Sequence, residues 1–312
     1  MQRRNAIRDL IMQYWLLSCL LLPHVVAQIS SVPSDRHWVI NARSAAMADA
    51  YTAASRDVVA MYYNPASLPF IRQSSIIANY AIERIGNRDA LMTENVTFPV
   101  FPEPDMVMGF GLSFTHVGFV SGDGPYGGLS FHRYVLDVGI GRIMSPPLSI
   151  GAGVSLPYAE AGGPSAIGFT SSVGLMYAPT PGLYYGLAYH TPGWQTVHEM
   201  VEGANVVRRV PLKQSLQLGI SIDIPALRGR RIVSLTLSNE KTFGEDGLTY
   251  RGGAEIMPFH FLSLRVGYWV GPNTVAGRYG FGFEFGGFDL SYAIAPSDFE
   301  PRFQQISLSY IY

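Results

Sequence analysis

The chain has 312 residues, 48% of them hydrophobic and 14% charged, with 33 Gly, 21 Pro and a formal net charge of −1. That balance is too apolar and too rich in glycine for an ordinary soluble enzyme, shows no basic excess for nucleic acid, and includes one cysteine, which excludes a disulfide framework. Past residue 30 no unbroken run reaches the roughly 20 apolar residues that a membrane-spanning helix needs.

The N-terminus has the layout of a secretory signal peptide. Arg3, Arg4 and Arg8 precede an apolar stretch from Leu10 to Leu22, Pro23 follows, and Val25-Val26-Ala27 supplies small residues before a cut at Gln28. The rival reading makes Leu16-Leu17-Ser18-Cys19 a lipoprotein box. The apolar residues after Cys19 speak against it, because a lipidated N-terminus normally runs on into polar chain. Residues 1–27 are therefore expected to be cleaved. Their loss removes the only cysteine, rules out a Cys-containing metal site and leaves 19 basic against 22 acidic residues.

Residues 28–73 form a second unit, whose stretch 41–70 is rich in small residues and follows no strand periodicity. Asn64-Pro65 is a local stop and start. The proline pushes Asn64 to an extended backbone, the Asn64 side chain can cap a helix, and Pro65 suits the first helical position. A short capped turn is predicted over Ala66–Leu68, ended by Pro69. This unit is read as the plug of a barrel.

From Ser74 to Tyr312 the sequence falls into alternating runs. Ile306, Leu308, Tyr310 and Tyr312 share one face, with Gln305, Ser307 and Ser309 on the other. Leu216, Leu218, Ile220, Ile222 and Ile224 repeat the pattern against Gln217, Gly219, Ser221 and Asp223. Alternation of this length predicts strands with one greasy and one polar face. Fourteen are expected, over 74–84, 91–98, 106–120, 129–143, 148–158, 168–178, 183–190, 212–224, 231–240, 248–257, 260–270, 277–286, 287–295 and 302–312.

Connections that are brief, such as Ser145-Pro146-Pro147, Pro179 to Gly182 and Gly286-Gly287, alternate with longer ones, such as Ser121 to Gly128, Thr191 to Pro211 and Gly271 to Ala276. That asymmetry belongs to outer-membrane barrels. In hydrocarbon every unpaired backbone group is costly, so strands survive there only when the sheet closes on itself. A soluble β-sandwich also alternates, but with fewer aromatics on the greasy face and more charge on the other. The predicted fold is thus an all-β, fourteen-stranded antiparallel transmembrane barrel with an N-terminal hatch, in the bacterial outer membrane, with membrane lipid as its surroundings. Tyr310 and Tyr312, on the apolar face of the last strand, look like the C-terminal signal that barrel-assembly machinery reads.

The plug carries a resemblance. Asn41-Ala42-Arg43-Ser44-Ala45-Ala46-Met47, then Ala50-Tyr51-Thr52-Ala53, Asp57, and Ala60-Met61-Tyr62-Tyr63-Asn64-Pro65-Ala66-Ser67-Leu68 resemble the N-terminal segment of the PorV/PorQ group. That group is related to FadL-type outer-membrane transporters, which share the Asn-Pro-Ala element. The resemblance implies a hatch in or beneath a fourteen-stranded barrel, with Arg43, Met47, Tyr51, Asp57, Tyr62, Asn64, Pro65 and Ala66 as its marked residues. It departs from the family at Ala48-Asp49, where Gly-Gly is usual, and at Ser55-Arg56, where paired acids are usual. Losing both glycines stiffens the first turn.

Two functions follow from the resemblance. PorV-like members serve type IX secretion, receiving exported proteins by their C-terminal domains and passing them to surface attachment. FadL-like members admit fatty acids and other hydrophobic molecules, which leave when the hatch shifts. The motif lies nearer the PorV/PorQ side, so export or surface delivery of proteins is the leading expectation and a hatch-gated hydrophobic channel the alternative.

Nothing points to an enzyme or a cofactor. There is no Gly-x-Ser-x-Gly elbow, and Gly109-Phe110-Gly111 and Gly139-Ile140-Gly141 are alternating strand glycines that make room in the lumen. His116, His132, His190, His198 and His260 show no metal spacing and read as solvated or girdle residues. Asp137, Asp223, Arg265, Glu284 and Asp289 fall on polar strand faces and are expected to point inward, holding the hatch through ion pairs or lining a passage. The long loop 191–211 presents Trp194, Met200, Arg208 and Arg209, either to receive an acidic-headed apolar ligand or partner protein, or to fold into the barrel mouth.

Overall fold

The computed structural model describes residues 41–54, 57–71, 74–85, 89–118, 131–161, 165–190, 193–201, 204–225, 231–272, 274–296 and 303–312. The expected signal peptide, residues 1–27, lies outside them, as does the Ser55-Arg56 departure.

Among the described residues sixteen strands follow the N-terminal segment: β1 (Ser75–Ile85), β2 (Asp89–Glu103), β3 (Met106–Gly118), β4 (Phe131–Ser145), β5 (Leu148–Ala161), β6 (Ser165–Thr180), β7 (Leu183–His190), β8 (Trp194–Val201), β9 (Ala204–Pro211), β10 (Ser215–Pro225), β11 (Arg231–Thr242), β12 (Thr249–Phe259), β13 (Leu262–Gly271), β14 (Thr274–Phe285), β15 (Phe288–Ala295) and β16 (Phe303–Ile311). Fourteen of them, β1–β7 and β10–β16, make a closed antiparallel barrel. The seam joins the first strand to the last, from Ser75 opposite Ile311 to Glu83 opposite Phe303. Beyond it the Tyr312 N–H donates to the Ser74 carbonyl at 3.0 Å.

Alternation builds this wall, and its sense is inverted relative to a soluble protein. Leu237 is 62% exposed while its neighbour Ser238 is 6% exposed. Leu308 and Tyr310 likewise stand outward while Gln305 and Ser307 are buried. Apolar residues on the outer face and polar ones on the inner are what a barrel surrounded by hydrocarbon requires, because closure leaves no wall strand with an unpaired edge. At the Phe285–Phe288 hairpin the turn is Gly286 and Gly287, both at positive φ (59° and 86°), which glycine adopts without a Cβ penalty.

Three expectations need correction. Within the expected loop, Trp194–Val201 and Ala204–Pro211 are not loop but the paired strands β8 and β9, the first of which pairs with the start of β6 from Ser165 opposite His198 to Phe169 opposite Trp194. Their alternation mixes polar and apolar residues on both faces because the hairpin extends beyond the short β7. The second strand is also far longer than 91–98, running Asp89–Glu103 past Pro99 to an irregularity after Val100, where a ladder tolerates a proline. The connection expected over Gly271–Ala276 shrinks to the two positions between β13 and β14.

Inside the barrel lies the segment Asn41–Ile71. It contains a short helix Ala42–Ala46, a helical turn Ala60–Tyr63 and a 3-10 helix Pro65–Phe70. Ala45, Met47, Tyr51, Val58 and Leu68 are fully buried.

Candidate functional site

The lumen is built by the inner faces of the wall strands and by this segment. Wall glycines bring the two together. A Cβ placed on Gly139 would stand 2.5 Å from the Met61 Cβ, and one on Gly141 would stand 2.5 Å from the Pro65 carbonyl oxygen. Gly151, Gly174, Gly186 and Gly267 face Ala66, Asn64, Thr52 and Ala48 in the same way. A side chain at any of these positions would occupy space that the segment's backbone or caps now fill.

Asn64 organises the segment's second half. Its Oδ1 accepts the Ala66 N–H at 3.1 Å and so caps the 3-10 helix, while its Nδ2 donates to the Thr52 and Leu175 carbonyls, each at 3.1 Å. Pro65 occupies the first helical position. Pro69 does not end the helix but sits inside it. Having no N–H, it leaves the Ala66 carbonyl without a helical donor, and the Ser149 hydroxyl of the wall donates there instead.

Asn41 starts the first half, its Oδ1 accepting the Ser44 N–H at 2.7 Å. Arg43 then forks onto Glu255 of β12, donating at 3.1 and 2.8 Å, with Asp57 at 3.6 Å and the Tyr51 ring 5.7 Å away. Arg265 donates to the same Glu255 at 2.7 Å and to the Ser291 hydroxyl at 2.8 Å, and Ser291 in turn donates to Asp289. Burial works against the Arg43 charge, but Glu255, backed by Tyr51 and Asp57, more than offsets it and holds the cation. Burial pushes the Asp57 carboxyl up, against the pull of Arg43. It also pushes up the phenols of Tyr51, Tyr62 and Tyr63, which therefore stay neutral.

A second anchor joins Asp49 to the wall. Arg278 of β14 donates to Asp49 at 2.7 Å, and the Tyr63 hydroxyl donates to the same carboxylate at 2.7 Å. Ala48 and Asp49 both stand in the left-handed region, at φ 52° and 58°, where glycine is the favoured residue. A third anchor is polar: Thr52 donates to Gln217 at 3.0 Å, Gln217 to Glu240 at 3.1 Å, and Arg251 to Glu240 at 2.6 Å. Tyr62 lies between Asp137 and Asn95, whose Nδ2 donates to its hydroxyl at 3.0 Å.

The structure thus brings Arg43, Asp57, Arg265 and Asp289 into one network, places Asp137 against Tyr62, and seats Met47 among buried residues. It leaves two charges apart. Asp223 accepts from Ser234 at 2.7 Å, well along the wall, and Glu284 is exposed beside the Gly286-Gly287 turn. Sequence reasoning singled out Asp49 only as a departure from the family pattern, and it missed Glu240, Arg251, Glu255 and Arg278. Strand parity could have found the last four, since Arg251 and Glu255 share the inward phase of Gly253, and Arg278 alternates with the outward Tyr279.

On the hairpin, Trp194 is half-exposed between the Phe169 ring at 5.1 Å and the Arg209 guanidinium at 4.3 Å. Val197 tucks inward with Leu91, Phe131 and Ala159, so this face caps the barrel mouth. Arg208 is exposed, and Met200 lies in β8. On the last strand Tyr310 lies tilted against Phe288 of β15 at 4.9 Å and stacks on Tyr312 at 6.3 Å. A groove over Leu187, Leu218, Leu237 and Tyr268 faces outward and takes no part in the lumen. Among the described residues, no three His, Cys, Asp or Glu come together to hold a metal.

No protein-family model matches the chain, and no curated protein matches it. Solved structures do. The chain is similar to the Ralstonia pickettii toluene transporter TbuX at 14% identity, over 88% of this chain and 98% of that one, with a TM-score of 0.62. It is similar to the CymD monoaromatic hydrocarbon channel at 14% identity, over 87% and 97%, with a TM-score of 0.63. A Pseudomonas aeruginosa FadL homologue matches at 14% identity over 88% and 98%, with a TM-score of 0.58. At these identities the likeness establishes the fold, a closed fourteen-stranded barrel of the FadL kind.

Proposed function

We propose that this protein is an outer-membrane channel for hydrophobic small molecules, gated by residues 28–73 as a hatch after removal of residues 1–27. The observation that carries this reading is the filled lumen: Asn41–Ile71 occupies the passage, fitted to wall glycines and held by a few ion pairs. A solute can cross only if that segment shifts. The apolar outer face supports membrane residence, and Tyr310 and Tyr312 at the seam suit an assembly signal. Neighbours of the same fold that are described as a toluene transporter and a monoaromatic hydrocarbon channel favour solute passage over the expected role in protein export. The lumen charges then serve to seat the hatch.

The test is uptake. Liposomes containing the purified protein take up toluene faster than empty liposomes, and Asn64→Ala, which removes the cap, a donation within the segment to Thr52 and a donation to Leu175 of the wall, speeds uptake further. Uptake no faster than in empty liposomes for both proteins removes the channel reading.

A further inference from the structure

Arg278 differs from Arg265 and Arg251 in where its partner sits. Arg265 and Arg251 pair with Glu255 and Glu240, carboxylates of the wall itself, at 2.7 and 2.6 Å. The carboxylate on Arg278 is Asp49, which belongs to the luminal segment. Asp49 is held in a left-handed turn with Ala48, a conformation that costs a non-glycine residue free energy. The pair therefore joins a cation of the wall to an anion held in a strained turn of the segment.

The surroundings of Arg278 offer more than Asp49 uses. Its guanidinium lies 5.7 Å from the Trp269 ring and 5.4 Å from the Phe303 ring. Arg278 is 8% exposed, and both its Nε and the Trp269 Nε1 are buried donors without an acceptor. Buried donors left unpaired are costly. A guanidinium with a free edge takes a carboxylate through two parallel hydrogen bonds, and two aromatic rings beside it suit an apolar or aromatic body.

We propose that Arg278 is an exchange site, at which the carboxylate of a small aromatic acid competes with Asp49 while Trp269 and Phe303 pack against its ring. Displaced from Arg278, Asp49 keeps its hydrogen bond from Tyr63 but loses the contact that ties the Ala48-Asp49 turn to the wall. Ligand binding and release of the segment's first half are then reciprocally coupled, each favouring the other. This rests on the channel reading of the lumen and adds to it a ligand class and the pair that responds to it.

The probes are phenylacetate and its neutral counterpart phenylacetamide, titrated calorimetrically into the purified full-length protein in detergent. Phenylacetate is expected to bind about tenfold more tightly to Asp49→Asn than to wild type, and about tenfold more weakly to Arg278→Gln. Phenylacetamide should change less than about twofold across the three proteins. If Arg278→Gln does not give a folded barrel on a heat-modifiability gel, Asp49→Asn decides alone. Phenylacetate affinity unchanged in Asp49→Asn, or equal affinities of acid and amide for wild type, overturns the exchange site. Toluene uptake by liposomes reports the channel reading separately: uptake with no response of phenylacetate to Asp49→Asn sinks the exchange site alone, and the response without uptake sinks the channel alone.

Discussion

Asn64 stands where a side chain on Gly174 would be: a Cβ there would overlap the Asn64 Oδ1 that caps the 3-10 helix. Lumen and segment are fitted to each other at this point by the absence of one carbon. Gly174→Ala must push Asn64 off its cap, and overpacking of this kind costs about 1–3 kcal/mol. Urea unfolding should show that loss, whereas Gly244→Ala, in open space on the β11–β12 connection, should pay only for its positive φ.

Glu255 serves two arginines, a part-buried one from the segment and a buried one from the wall. Glu255→Gln leaves Arg43 and Arg265 without their shared anion, and removing one partner from a buried pair costs about 3–5 kcal/mol. Arg142→Ala breaks contacts to Glu103 and Asp105 that are half-exposed, and such pairs contribute about 0–1 kcal/mol. Comparable losses in denaturant midpoint for the two variants would contradict the placement of the network in the lumen.

Ala48 gives a prediction of opposite sign. Glycine suits φ 52° where alanine is strained, so Ala48→Gly should raise stability by up to about 1 kcal/mol after its greater unfolded-state freedom is counted. A measurable decrease would mean that the Ala48 methyl contributes packing that outweighs the strain.

Asp57 ties the segment to pH. It faces Arg43, Glu255, Asp289 and Tyr51, and accepts the Val59 N–H at 3.1 Å. Burial raises its pKa above the usual carboxylate value, so the folded protein binds a proton there more tightly than the unfolded chain does. Its contribution is complete below the unfolded pKa of about 3.9 and is lost as pH rises through the raised value. Denaturant midpoints between pH 4 and pH 7 should therefore fall more in wild type than in Asp57→Asn; equal falls would remove Asp57 as the source.

Much of the wall was legible because alternation is a local property. Leu183–His190 matches its expected bounds, and the Gln305/Ser307 against Leu308/Tyr310 faces read directly from the order of residues. The β8–β9 hairpin was not legible, since Gln195 and Val197 are buried side by side in phase while Trp194 and His198 stand exposed. That mixture matches neither a membrane strand nor a soluble one. In the lumen, parity tells which face a charge takes but not which charges meet. Arg265 was assigned inward, and its pairing with Glu255 follows from the β12–β13 register, in which the two stand opposite each other; the contact between Glu255 and Arg43, 212 residues apart, depends instead on the segment being seated in the barrel. The left-handed turn at Ala48-Asp49 was masked by the absence of glycine, the residue that normally advertises such a conformation.

If the segment must move for a solute to pass, a reversible lock on it stops uptake. The Ala42 N–H donates to the Ser307 hydroxyl of β16 at 2.6 Å, which places the two residues within reach of a disulfide. With Cys19→Ser as background, Ala42→Cys and Ser307→Cys together should form a bond that pins the segment to the wall. Liposomes holding the oxidised protein should take up toluene no faster than empty ones, and reduction should restore uptake. Equal uptake by the oxidised and reduced forms would contradict a gate in this segment.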